Sequence, residues 1–147
     1  MEHTAEQMVV AGSPERCFAV VTDFEAYPDW VADVKEVHVL ERDEAGRASC
    51  VRFRAGAFGR STSYVLAYDY SGAPGEVSWV QKEGDITNRL DGSYRFRSTP
   101  DGTTEVRYEL AVELRVPIPS FVKRRAEGHI LHAAVRDLKH RVESGTA

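Results

Sequence analysis

The chain has no run approaching the roughly 20 apolar residues that a bilayer-crossing helix requires. Its opening, MEHTAEQMVVAGS, carries neither a positive leader nor a long apolar core. We therefore expect a cytoplasmic protein with no membrane insertion. Cysteine is scarce: Cys17 and Cys50 are the only two, and in a leaderless chain such a pair is expected as two buried thiols and not a disulfide. The five histidines never combine with them in a zinc spacing, so neither a metal nor a cofactor is expected. A basic excess is also missing. The formal net charge is −4, which gives a phosphate backbone nothing to bind and sets nucleic acid aside as a partner. The longest basic run, Lys123-Arg124-Arg125, reads as a solvated face. The Gly56-Ala57-Phe58-Gly59 stretch lacks the lysine and hydroxyl residue of a phosphate loop and reads as a flexible hairpin. No repeat, low-complexity tract or linker breaks the chain, so residues 1–147 are expected to form one domain. That length buries roughly 68–70% of the unfolded surface and tolerates an internal cavity. Monomer and dimer both fit these features.

What the chain does have is strand patterning. Seven strands are expected at about Thr4–Val10, Val34–Glu41, Ala48–Ala57, Thr62–Tyr70, Glu76–Lys82, Thr87–Arg97 and Glu105–Val116, with short turn signals between the later ones. Short turns between consecutive strands predict an antiparallel meander. In the last strand Val106, Tyr108, Leu110, Val112 and Leu114 alternate with mostly charged neighbours, giving one dry and one wet face. The same period turns Leu90, Gly92, Tyr94 and Phe96 inward, sets Tyr64, Leu66, Tyr68 and Tyr70 on one face, and pairs Val77 with Trp79 and Gln81. Such a lining of aliphatic bulk with several phenols and an indole suits a cavity where a mostly apolar ligand needs a few directed hydrogen bonds; equally, aromatics at strand spacing simply fill a core.

Between the first two strands lies Ser13 to Val37, SPERCFAVVTDFEAYPDWVADVKEV. Ser13 is placed to cap a helix that starts at Pro14, where the missing N–H costs nothing. Asp23 offers a stop or a new cap. Pro28 is expected to bias Tyr27 away from α geometry and to let Tyr27 and Trp30 fold onto something apolar.

The segment from about Ser120 to Glu143 reads as a long helix, since Leu131, Val135, Leu138 and Val142 recur on one stripe. Projection places Phe121, Arg124 and Gly128 close to that side. A glycine costs a helix roughly 1 kcal/mol against alanine, so Gly128 suggests that space is needed there, for a close-packed strand or for a ligand. Arg124 has two readings: an anchor for an anionic or carbonyl group at a cavity mouth, or a surface salt bridge with a strand glutamate. His129 and His132 project away from the stripe and are expected to face solvent.

Tyr27-Pro28-Asp29-Trp30, the Gly102-Thr103-Thr104 turn, the Pro117-Ile118-Pro119 lead-in and the closing Leu138-Lys139 with Arg141-Val142-Glu143 occur in an order that resembles the polyketide cyclase/dehydrase and START-like lipid-transfer superfamily over nearly the whole chain. The resemblance implies an α+β helix-grip fold: a curved antiparallel sheet of about six or seven strands wrapped round a long C-terminal helix, two short helices after the first strand, and a hydrophobic cavity. Two function classes follow. One is a carrier or sensor for a hydrophobic small molecule such as a lipid, isoprenoid or polyketide-like aromatic. The other is an aromatase/cyclase, which needs a proton-moving group beside the substrate; Tyr64, Tyr94, Tyr108 and Arg124, with Asp33 or Asp85 at the rim, are the candidates, and no catalytic residue is assigned. The cavity is expected to be lined by Trp30, Phe53, Tyr64, Leu66, Tyr68, Trp79, Leu90, Tyr94, Tyr108, Leu110, Phe121, Arg124 and Gly128.

Overall fold

The computed structural model describes residues 3–57, 60–115 and 117–144. The chain runs β1 (His3–Val10), α1 (Pro14–Thr22), a single 3-10 turn (Phe24–Ala26), α2 (Tyr27–Trp30), β2 (Val34–Arg42), β3 (Ala48–Ala57), β4 (Arg60–Asp69), β5 (Glu76–Gly84), β6 (Thr87–Ser98), β7 (Thr104–Leu114) and α3 (Ser120–Ser144). The strands make one antiparallel sheet in the order β1-β7-β6-β5-β4-β3-β2. Five consecutive hairpins account for most of that order, and β1 closes onto β7 at the far end. The sheet is curved and α3 lies in its concave side, the helix-grip arrangement.

Local chemistry explains the elements. Ser13 caps α1 by accepting the Arg16 amide at 3.1 Å, with proline in the first turn. The alternating stripe of β7 is buried at Val106, Tyr108, Leu110 and Val112, while Arg107 and Glu109 pair with each other on the other face at 2.9 Å. Along α3, Leu131, Val135, Leu138 and Val142 are buried and the helix packs against β1, α1 and β7. Both cysteines are buried free thiols.

The expectation for Tyr27 is corrected. It sits in right-handed helical geometry, φ −52° and ψ −42°, as the first residue of α2. Tertiary contacts override the bias from Pro28: the Tyr27 hydroxyl donates to the Val21 carbonyl, and its ring meets Phe24, Trp30 and Phe53 at centroid distances of 5.4, 5.1 and 5.9 Å. Phe58 and Gly59 of the expected hairpin, and Val116 at the expected end of the last strand, lie outside the described residues.

Candidate functional site

Between the concave face of the sheet and α3 is a cavity of about 150 Å³. Three layers of the fold build it. The sheet supplies Phe53 from β3, Tyr64, Leu66 and Tyr68 from β4, Trp79 from β5, Leu90 and Tyr94 from β6, and Tyr108, Leu110 and Val112 from β7. Above them α1 and α2 contribute Val21, Tyr27 and Trp30, and α3 contributes Ile130, Ala133, Ala134 and Asp137. Alternation along each strand is what brings these residues to one face, and short side chains at Ala133 and Ala134 leave the space open beneath the helix.

The aromatic wall is continuous. Tyr94 and Tyr108 stack at 4.6 Å with planes 7° apart, Trp79 lies 5.7 Å from Tyr94 and 5.9 Å from Tyr108, and Tyr68 links Trp79 to Phe24. Gly92 makes room for the indole: a Cβ there would stand 2.6 Å from Trp79 Cζ2.

The polar groups of this wall divide into spent and unspent. Thr62 donates to Asp85 at 2.5 Å and Thr87 to Gln81 at 2.5 Å, and Tyr27 donates to Val21. By contrast, among the described residues no hydrogen-bond partner takes up the hydroxyls of Tyr64, Tyr68, Tyr94 or Tyr108. Burial pushes all four phenols above their ordinary range; neighbouring tyrosines add to this at Tyr68, Tyr94 and Tyr108, the Asp137 carboxylate at Tyr94, and the Asp33 carboxylate at Tyr64. They are held as neutral donors, not bases.

Two carboxylates reach the cavity, Asp33 from the turn before β2 and Asp137 from α3. Asp137 is 17% exposed in its side chain, accepts the Ala32 amide at 3.4 Å and lies 3.6 Å from an exposed Arg136 guanidinium nitrogen. Asp85 does not line the cavity. Burial works against its charge, but the Thr62 hydroxyl and the amides of Ser63 and Ile86 hold its carboxyl below the usual range, so it positions Thr62.

The family described as polyketide cyclase / dehydrase and lipid transport matches residues 10–139. The chain belongs to that family. No match is found among the curated proteins. Among solved structures, a START superfamily protein from Mycobacterium smegmatis is 27% identical with a TM-score of 0.91, covering 98% of this chain and 99% of that one. A Thermus thermophilus protein is 18% identical with a TM-score of 0.87 over 99% and 100% of the two chains. The Zhui aromatase/cyclase of a Streptomyces species is 17% identical with a TM-score of 0.77 over 99% of each chain.

In this polyketide cyclase and lipid transport family member the ten sheet and α2 residues expected at the cavity, from Trp30 to Leu110, are all brought to it. The three expected from α3 are not. Phe121 is 63% exposed, Arg124 is exposed, and a Cβ on Gly128 would meet nothing within 4 Å. At about 100° per residue, Ile130, Ala134 and Asp137 fall on one flank of the Leu131 stripe, and Gly128 and Phe121 on the other. Asp137 sits at i+7 from Ile130 and i+3 from Ala134, a spacing that marks this second face in the sequence. Near Arg124 the ion pair belongs to its neighbour: Lys123 Nζ is 2.7 Å from the buried Glu127 carboxylate. His129 is exposed, and His132 meets Glu6 at 3.4 Å on the surface.

Proposed function

We propose that this protein binds a mostly apolar small molecule in the cavity between sheet and α3, held by shape and by hydrogen bonds from the phenols. The observation that carries this reading is the set of hydroxyls, bonded to no described residue, that border the cavity on an otherwise apolar wall: a core that needed only to be filled would use phenylalanine there. A ligand carbonyl, ether or hydroxyl oxygen satisfies them. The volume of about 150 Å³ is of the order that encloses a single aromatic ring, so a longer ligand extends through the opening or spreads α2 from the sheet.

Native mass spectrometry of the freshly purified protein, followed by extraction, tests this directly. A co-purifying apolar molecule is the expected result. Ala134→Trp, which fills the helix side of the cavity, is expected to abolish its retention while circular dichroism stays native; retention undiminished in that variant overturns the assignment of the cavity.

A cyclase reading has one observation in its favour: Asp33 and Asp137 place carboxylates, which can accept a proton α to a carbonyl, in the same cavity as phenol donors. Turnover of a poly-β-keto thioester that falls at least about a hundredfold in Asp137→Asn would support it, and binding without turnover would leave the carrier reading alone.

A further inference from the structure

Charge at this cavity has one sign. Among the described residues that line it, the ionisable groups other than phenols are Asp33 and Asp137, and no lysine, arginine or histidine joins them. Asp33 makes no hydrogen bond or ion pair through its side chain among the described residues. The cation paired with Asp137 is Arg136, whose side chain is 58% exposed, so solvent screens it; exposed Asp33 is screened in the same way, which leaves the half-buried Asp137 as the stronger charge of the cavity. Tyr94 and Tyr108 on the same wall are each 8% exposed and offer hydroxyls that no described residue bonds.

We propose that the cavity selects its ligand by charge as well as shape, with Asp33 and Asp137 as specificity-determining residues: it takes neutral or cationic apolar molecules that present an acceptor oxygen or an ammonium, and it refuses carboxylates such as free fatty acids. This rests on the binding role proposed above. The physical basis is that an anion entering a site of reduced dielectric sheds its hydration and meets the half-buried Asp137 carboxylate, with exposed Asp33 adding a screened like charge and no cation among the lining residues to offset them. A neutral acceptor meets the phenols. An ammonium meets the two carboxylates and the faces of the aromatic wall, which attract cations.

A ring-matched trio separates these cases: naphthylmethanol, naphthylmethylamine in its ammonium form, and naphthoate, each titrated calorimetrically into the intact protein at neutral pH. The alcohol and the ammonium are expected to bind, with naphthoate weaker by about tenfold or more. In Asp33→Asn/Asp137→Asn the gap is expected to shrink several-fold through tighter binding of naphthoate. Should the double variant fail to fold, Asp137→Asn alone carries the test, since the asparagine carbonyl can still accept the Ala32 amide. Naphthoate binding wild type as tightly as the alcohol overturns the proposal. A gap that persists unchanged in the variants removes the two aspartates from it. If none of the three binds, the binding reading itself has failed, and the charge selection falls with it.

Discussion

Tyr70, just past the end of β4, and Tyr108 on β7 are both 8% exposed phenols, and their hydroxyls do opposite things. The Tyr70 hydroxyl donates to the carbonyl of Ala48, the first residue of β3, at 2.6 Å, whereas that of Tyr108 has no partner among the described residues. Removing each oxygen should therefore give different results. Tyr70→Phe orphans a buried carbonyl and is expected to lower unfolding free energy by about 1 kcal/mol. Tyr108→Phe removes only an unmet donor and is expected to leave the urea midpoint unchanged or raised, while weakening naphthylmethanol binding by about threefold to tenfold. Equal destabilisation by both would mean that the Tyr108 hydroxyl has a structural partner after all. Period-two alternation made the inward direction of Tyr64, Tyr94 and Tyr108 readable from the sequence. It put Tyr70 on the same face without distinguishing it, because the deciding carbonyl lies 22 residues away in the chain.

Among the elements, α3 shows where periodicity stops. Its stripe of Leu131, Val135, Leu138 and Val142 was legible because i, i+4, i+7 spacing fixes one face of any helix. Which flank of the stripe faces the cavity depends on how the helix docks against β1, α1 and β7, and that is set by contacts between segments distant in sequence. Gly128 consequently reads as a need for space, yet a Cβ there meets nothing within 4 Å. Gly128→Ala is thus expected to stabilise the protein by up to about 1 kcal/mol through helix propensity, with ligand binding unchanged; a loss of stability in urea titration would show that the helix packs closer than the structure has it. Gly92 is the contrasting case on β6. A Cβ there would lie 2.5 Å from the Glu109 carbonyl oxygen and 2.6 Å from the Trp79 ring. Neither the strand backbone nor an indole packed against the stacked Tyr94 and Tyr108 can yield, so Gly92→Ala is expected to cost about 1–3 kcal/mol and to disturb near-ultraviolet circular dichroism of the tryptophan. The strand pattern placed Gly92 inward, but only the packing of Trp79 explains why the residue has no side chain.

For the molecule as a whole, the concentration of tyrosine at one internal site has a consequence for alkaline stability. The chain has six tyrosines; five line the cavity and the sixth, Tyr70, is buried beside it. Burial pushes every one of them above the ordinary value of 10.0, Tyr70 to about 12 and the other five well above 10.0. In the unfolded chain these phenols ionise near 10.0, while in the folded protein they keep their protons. Below that pH both states are protonated and the contribution to stability is fully present. As pH rises past it the unfolded state binds fewer protons than the native one, so stability falls, on the order of 1.4 kcal/mol per pH unit for each phenol, until the folded-state values are reached. With six groups acting together that slope approaches about 8 kcal/mol per pH unit, comparable to the whole stability of a marginally stable domain. Alkaline unfolding is therefore expected to be cooperative and to begin just above pH 10, with phenolate absorbance rising in the same narrow interval in which circular dichroism is lost. A bound ligand that accepts the phenol protons in hydrogen bonds should move both curves to higher pH together. Phenolate absorbance that rises first, with the sheet signal intact, would instead mean that water reaches the hydroxyls freely in the folded state, and that the cavity is a solvated cleft whose phenols are not held in reserve for a ligand.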